Sequence, residues 1–84
     1  MSKVVIYTKP TCAYCESAKE LLKSHHIAFE EVRVDKDAAK LEEMMRLSQR
    51  RTVPQIFINN QAIGGFDDLA ALAKSGKLDT LLNS

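Results

Sequence analysis

The only two cysteines of the chain lie in one tetrapeptide, Cys12-Ala13-Tyr14-Cys15, after an apolar run, Val4-Val5-Ile6-Tyr7-Thr8, that reads as a β-strand. The segment after them reads as a helix. Thiols at i and i+3 in the first turn of a helix share one face, and the free N–H groups and dipole there favour negative charge. The chemistry this suits is that of a thiolate near neutral pH. A thiol with an ordinary pKa of about 8.5 needs roughly 4 kcal/mol to ionise freely at about pH 5 or 6. A helix dipole supplies roughly 0.3–2 kcal/mol, so hydrogen bonds to sulfur, from the N–H groups of Tyr14 and Cys15 or from the Cys15 thiol, must supply the rest. Lys9 adds a neighbouring cation.

Position divides the two sulfurs. Cys12 is nearest the helix end and the preceding loop, whereas Cys15 sits further in, under Tyr14 and the strand; Cys12 is the expected nucleophile and Cys15 the resolving thiol. A static disulfide or two inert core thiols are the plainer reading, and a reducing compartment argues against the bridge. A closed zinc site needs four ligands, and the additional nitrogens, His25 and His26, are adjacent, so on a helix they point about 100° apart. They are expected at the solvated end of the first helix.

Eighty-four residues make one domain, spanning 1–84, with one sheet and its helices. At 45% hydrophobic residues and a net charge of +1, the composition is that of an ordinary soluble chain and offers no electrostatic case for nucleic acid or a membrane surface. Met1-Ser2-Lys3 runs straight into the first strand with no apolar stretch of signal-peptide length, so the expected location is cytoplasmic.

After Cys15, Ala18, Leu21 and Leu22 recur at helical spacing to about His25, with Ile27 beyond. Phe29–Val34 reads as a second strand. Asp37 caps a second helix whose apolar face is Ala38, Leu41, Met44, Met45 and Leu47, ending near Ser48. The methionines share the stripe of Leu41 and read as core filling. Gln55–Ile58 is a third strand, Asn59-Asn60 a hairpin turn, and Gln61–Ile63 a fourth strand broken by Gly64-Gly65. Phe66-Asp67-Asp68 opens a third helix, and Lys74-Ser75-Gly76 separates it from a short helix over Leu78–Leu82. The order β-α-β-α-β-β-α predicts an α/β fold, a four-stranded mixed sheet flanked by helices with the first two strands parallel and the last two antiparallel. Cys12 then lies beyond the carboxyl end of a strand, where open α/β sheets place their ligands.

With these segments assembled, the chain resembles a glutaredoxin, of the thioredoxin-like fold, and most of all the short bacterial dithiol type. The resemblance covers essentially the whole chain. It rests on Tyr7-Thr8-Lys9, Cys12-Ala13-Tyr14-Cys15, Thr52-Val53-Pro54-Gln55, and Gly64-Gly65 with Asp67-Asp68. It implies a cis Pro54 facing the cysteines, with the backbone of Val53 free to pair with a cysteine-containing peptide; an ordinary trans proline is the plainer alternative. It also implies glutathione contacts at Lys9, Tyr14, Thr52, Val53, Pro54, Gly65, Phe66 and Asp67. Gly64-Gly65 allows close approach of backbone, the amides of Phe66 and Asp67 suit a carboxylate, and Asp67 suits an ammonium, which matches the γ-glutamyl end. Asp67 as a plain N-cap is the compatible alternative. Lys9, with Arg50 or Arg51, would meet the glycyl carboxylate, although either arginine reads equally as a solvated charge.

Two positions depart from the family pattern. Ala13 stands where many dithiol members have proline, and Phe66 where many have cysteine or serine. Alanine restores an N–H near Cys12, and loss of that proline is also a feature of members that hold an iron–sulfur cluster. The implied function is glutathione-dependent thiol–disulfide exchange on protein–glutathione mixed disulfides and protein disulfides, by a monomer with glutathione as co-substrate. The alternative is a [2Fe–2S] carrier, a dimer with Cys12 and one glutathione from each protomer. Reduction by a dedicated flavoprotein, as for thioredoxins, fits poorly with a chain that has no tryptophan.

Overall fold

The structure is a computed structural model describing residues 3–83. Its elements are β1 (Val4–Thr8), α1 (Ala13–Ser24), β2 (Glu30–Arg33), α2 (Ala38–Ser48), β3 (Gln55–Ile58), β4 (Gln61–Gly64), α3 (Phe66–Ser75) and α4 (Lys77–Leu82). The sheet order is β2-β1-β3-β4, with β1 parallel to β2 and antiparallel to β3, and β3 antiparallel to β4. This is the mixed sheet and helix arrangement that the sequence predicts, with the terminal short helix as its last element.

β1 occupies an inner position because its side chains are apolar on both faces. Val4 and Ile6, with Ile56 and Ile58 of β3, pack against Ala18 and Leu22 of α1, Leu69 of α3 and Leu78 of α4. The alternate residues Tyr7 and Phe57 point the other way, meet edge-on at 5.5 Å, and close over Val34 and Met44 beneath α2. Met44 is fully buried and Met45 packs beside it with Leu41, so the methionines fill core.

Local signals set the boundaries. Asp37 caps α2 by accepting from the N–H groups of Ala39 and Lys40, and Asn59 and Asn60 both adopt positive φ (52° and 67°), the conformation of a two-residue hairpin turn matched to strand twist. β2 is shorter than Phe29–Val34 because Phe29 turns into the α1-side core, while Val34 still donates to the Thr8 carbonyl past the last strand pair. β4 runs one residue further, to Gly64. Gly76, at φ 82°, ends α3 and starts α4.

A polar clamp ties α1 to the sheet below the cysteine turn. The buried Thr8 hydroxyl donates to the Glu31 carboxylate at 2.7 Å, and Lys19 bridges Glu31 at 3.1 Å and Glu16 at 2.8 Å. The Thr8 hydrogen bond, and after it Lys19, hold the Glu31 carboxyl below its ordinary value of 4.5, so this stabilisation is present above that pH and lost as pH falls through the depressed value. Glu31→Gln is expected to cost roughly 1 kcal/mol at neutral pH, a charge-assisted hydrogen bond discounted for partial exposure. In denaturant titrations the gap between variant and parent should close on acidification below about pH 4; a gap that stays constant from neutral to acid pH would assign the cost to something other than the carboxylate.

Candidate active site

β1 delivers the chain to its carboxyl end, where Lys9, Pro10 and Thr11 form an exposed loop, with Thr11 at φ 57°. Cys12 is the N-cap of α1. Its extended backbone (φ −117°, ψ 105°) turns its sulfur onto the helix end, where it accepts from the Cys15 N–H at 3.2 Å, and its carbonyl accepts from the Glu16 N–H. One of the two amides expected to stabilise the sulfur, that of Cys15, is therefore placed to do so. The Cys12 thiol also faces the Val53 carbonyl oxygen at 3.9 Å.

The two thiols are unequal. Cys12 is partly exposed, whereas Cys15 is fully buried. Burial, and then its hydrogen bond with Cys12, push the Cys15 thiol up to about 12, against the smaller opposing effect of the backbone at Lys9. Cys15 is held as a protonated thiol beside a more accessible sulfur. His25 and His26 lie exposed at the far end of α1, the solvated position expected for them.

Val53–Pro54 is a cis peptide bond. From Val53 an open groove of about 360 Å³ runs toward the start of α3. Tyr14, Thr52, Val53, Pro54, Gly65, Phe66 and Asp67, all but Lys9 of the residues expected at a ligand, line it together with Arg50, Gln55 and Asp68. Lys9 is exposed on the loop before Cys12 and forms no part of this wall. The ring of Tyr14, 64% exposed, leans over Phe66 at 6.2 Å. A larger open cleft of about 670 Å³ lies between β4, α3 and α4, but neither thiol lines it.

The start of α3 differs from the sequence reading. The N-cap is Gly65, not Asp67, and the carboxylate that closes the turn is that of Asp68, which accepts from the Gly65 N–H at 3.0 Å and from Arg50 at 3.2 Å. Asp67 stays exposed on the groove wall, free of capping duty. Asp68 stands three residues after Gly65, the position from which a side chain reaches back to the N-cap N–H, and that spacing was the available signal. Gln55 gave no such signal. Its side chain is 1% exposed, its amide donates to the Thr52 carbonyl at 2.9 Å and hydroxyl at 3.3 Å, and its own oxygen has no partner among the described residues. An unpartnered buried acceptor costs about 1–3 kcal/mol.

The chain that builds this site matches the family model of glutaredoxin over residues 4–63. The chain belongs to the glutaredoxin family. It is 57% identical to glutaredoxin 3 of Escherichia coli K12 over 82 residues, covering 98% of this chain and 99% of that one. Among solved structures it is similar to a buckwheat glutaredoxin–glutathione complex (TM-score 0.88, 27% identity, 98% of this chain and 77% of that one). It is also similar to the dithiolic glutaredoxin 2-C-Grx1 of Trypanosoma brucei brucei (TM-score 0.86, 42% identity, 96% and 87%). As a glutaredoxin it is a thiol–disulfide oxidoreductase of thioredoxin-like fold.

In this glutaredoxin, Gly64 keeps the groove wall in place. It adopts φ 118°, and a Cβ there would collide with the Asp68 carboxylate and come within 3.1 Å of the Arg50 guanidinium. Gly76, also at positive φ, has open space around it. Gly64→Ala is therefore expected to cost about 2 kcal/mol or more, and Gly76→Ala about 1 kcal/mol from backbone strain alone, by denaturant unfolding. Equal costs would show that the Asp68–Arg50 cover yields without penalty.

Proposed function

We propose that this glutaredoxin uses glutathione to reduce protein–glutathione mixed disulfides and protein disulfides, with Cys12 as the nucleophile and Cys15 as the resolving thiol. The observation that carries the reading is the unequal pair: one sulfur partly exposed at a helix N-terminus and hydrogen-bonded there, the other buried and kept protonated. In the first step the Cys12 thiolate attacks the glutathionyl sulfur, forms Cys12–S–S–glutathione, and releases the substrate as a thiolate that takes a proton from water. A second glutathione thiolate attacks that disulfide, yielding glutathione disulfide and the free Cys12 thiolate. For a protein disulfide, the Cys12 thiolate attacks one sulfur and forms a Cys12–substrate mixed disulfide with release of the other substrate thiolate; Cys15 then loses its proton to water and displaces the second substrate thiolate, and two glutathiones reduce the resulting Cys12–Cys15 bond to give glutathione disulfide.

The groove supports glutathione as the reductant, as does likeness to a glutaredoxin solved with glutathione. In the proposed pose the cysteinyl backbone pairs with Val53 beside Cys12. The γ-glutamyl carboxylate meets the amides at the start of α3, and its ammonium meets Asp67. With Arg50 engaged by Asp68, Lys9 and Arg51 are the cations assigned to the glycyl carboxylate. A reducing cytoplasm, rich in glutathione, is the proposed setting. Cys12→Ser is expected to abolish turnover on both substrate types. Cys15→Ser should keep most deglutathionylation and lose protein disulfide reduction; equal loss of deglutathionylation in the two variants would overturn the assignment.

Ala13 favours a second reading, in which the same face carries a [2Fe–2S] cluster in a dimer. Ala13 is exposed as the first residue of α1, next to the partly exposed Cys12. Each protomer offers one accessible thiolate there, and the buried Cys15 is unsuited to be a second ligand, so any such site takes Cys12 and one glutathione from each of two protomers. Anaerobic reconstitution with iron, sulfide and glutathione should then give a coloured species that elutes as a dimer, and Ala13→Pro should diminish both signals. A colourless monomer would leave catalysis as the sole function of this face.

A further inference from the structure

The segment between α2 and β3 carries Thr52 and Val53 to the groove, yet it belongs to no strand or helix. It is fastened at both ends by polar side chains. At its start the Ser48 hydroxyl accepts from the Arg50 N–H at 3.1 Å and donates within reach of the Arg50 and Met44 carbonyls, at 3.1 and 2.6 Å. At its end the Gln55 amide holds the Thr52 carbonyl and hydroxyl. Thr52 itself is exposed, so packing does not hold it.

Gln55 is a costly way to begin a buried strand. Pro54, Ile56, Phe57 and Ile58 around it are buried, and a side chain of similar length without polar atoms would fill its position with no orphaned acceptor. Both of its bonds go to an exposed groove residue and neither goes to the core. The carboxamide orientation is the one that satisfies this contact, since the reversed amide would set its oxygen against the Thr52 carbonyl.

We propose that Gln55 is a positioning residue for glutathione recognition: from inside the protein it pins Thr52, and so sets the Thr52–Val53 backbone at the distance from Cys12 that a glutathionyl group requires. Although Gln55 borders the groove, its buried side chain acts through Thr52 and not on the reacting sulfurs. The inference rests on the glutathione reading above and assigns to this residue the geometry on which that reading depends. Its side chain acts on recognition of the glutathionyl group and leaves the reactivity of Cys12, held by the Cys15 amide, as it is.

Gln55→Met keeps the length and removes both bonds and the orphaned oxygen. Its thermal midpoint is expected to equal or exceed that of the parent, while kcat/KM on a small glutathione mixed disulfide falls about ten-fold, the scale of loss that misplacement of a binding group produces. Single-turnover reaction with an uncharged disulfide lacking a glutathionyl group should stay within about two-fold. Unchanged kcat/KM in the folded variant, or an equal fall on both substrates, would overturn the proposal. If Gln55→Met does not fold, Gln55→Asn keeps the carboxamide but leaves it one methylene short of Thr52, and should lower kcat/KM about three-fold on the glutathionyl substrate alone; no change would overturn the proposal equally. Parent protein that fails to turn over the glutathione mixed disulfide would overturn the glutathione reading, and this inference with it.

Discussion

Everything in this molecule is arranged around one hydrogen bond, from the Cys15 amide to the Cys12 sulfur at 3.2 Å. It exists because a strand ends and a helix begins within four residues, so that the first thiol becomes the cap of the helix and the second lies within its first turn. A capping sulfur serves two ends at once: it satisfies a helix N–H that would otherwise be bare, and it sits at the helix end, where the dipole favours negative charge. The same turn buries Cys15, and burial penalises its charged form. One piece of local geometry thus separates two chemically identical side chains into an accessible sulfur and a protonated reserve.

That turn needs a stiff base. β1 supplies it by lying inside the sheet with both faces covered, and the Thr8–Glu31–Lys19–Glu16 chain fastens the end of the strand to the flank of α1. Buried Thr8 finds its acceptor on the neighbouring strand, so the polar group nearest the cysteine loop is satisfied and not a source of slack. Apolar packing sets where α1 lies; this small polar chain sets where its first turn sits against the sheet.

The groove opposite is built on different terms. Three irregular segments meet there, and each is held by side-chain-to-backbone hydrogen bonds in place of a ladder: Cys12 on Cys15, Gln55 on Thr52, Asp68 on Gly65. Arg50 then crosses to Asp68 and links two of the three. Segments held this way can present backbone to a ligand, since only single N–H or C=O groups are taken by these bonds and no ladder takes the rest. Tyr14 and Phe66, their rings 6.2 Å apart, give the groove an aromatic wall.

Much of this was legible in the chain itself. The strand and helix periods placed β1, α2 and β3 at their observed ends, and α3 within two residues of its end, because alternation, the Asp37 cap and the Asn59-Asn60 turn are encoded by near neighbours. The cysteine pair announced thiol chemistry for the same reason: the amide that bonds the Cys12 sulfur is three positions from it. The roles of Asp68 and Gln55 were of another kind. The reach of Asp68 back to Gly65 is local, but that the same carboxylate also holds Arg50, 18 residues away, depends on where the fold brings that guanidinium. That Gln55 is buried with an orphaned oxygen depends on strands and a loop that meet only once the sheet has formed. Local hydrogen bonds and side-chain periodicity act over a few residues and can be read along the chain, whereas burial and the pairing of distant polar groups are properties of the packed molecule, and only the fold decides them.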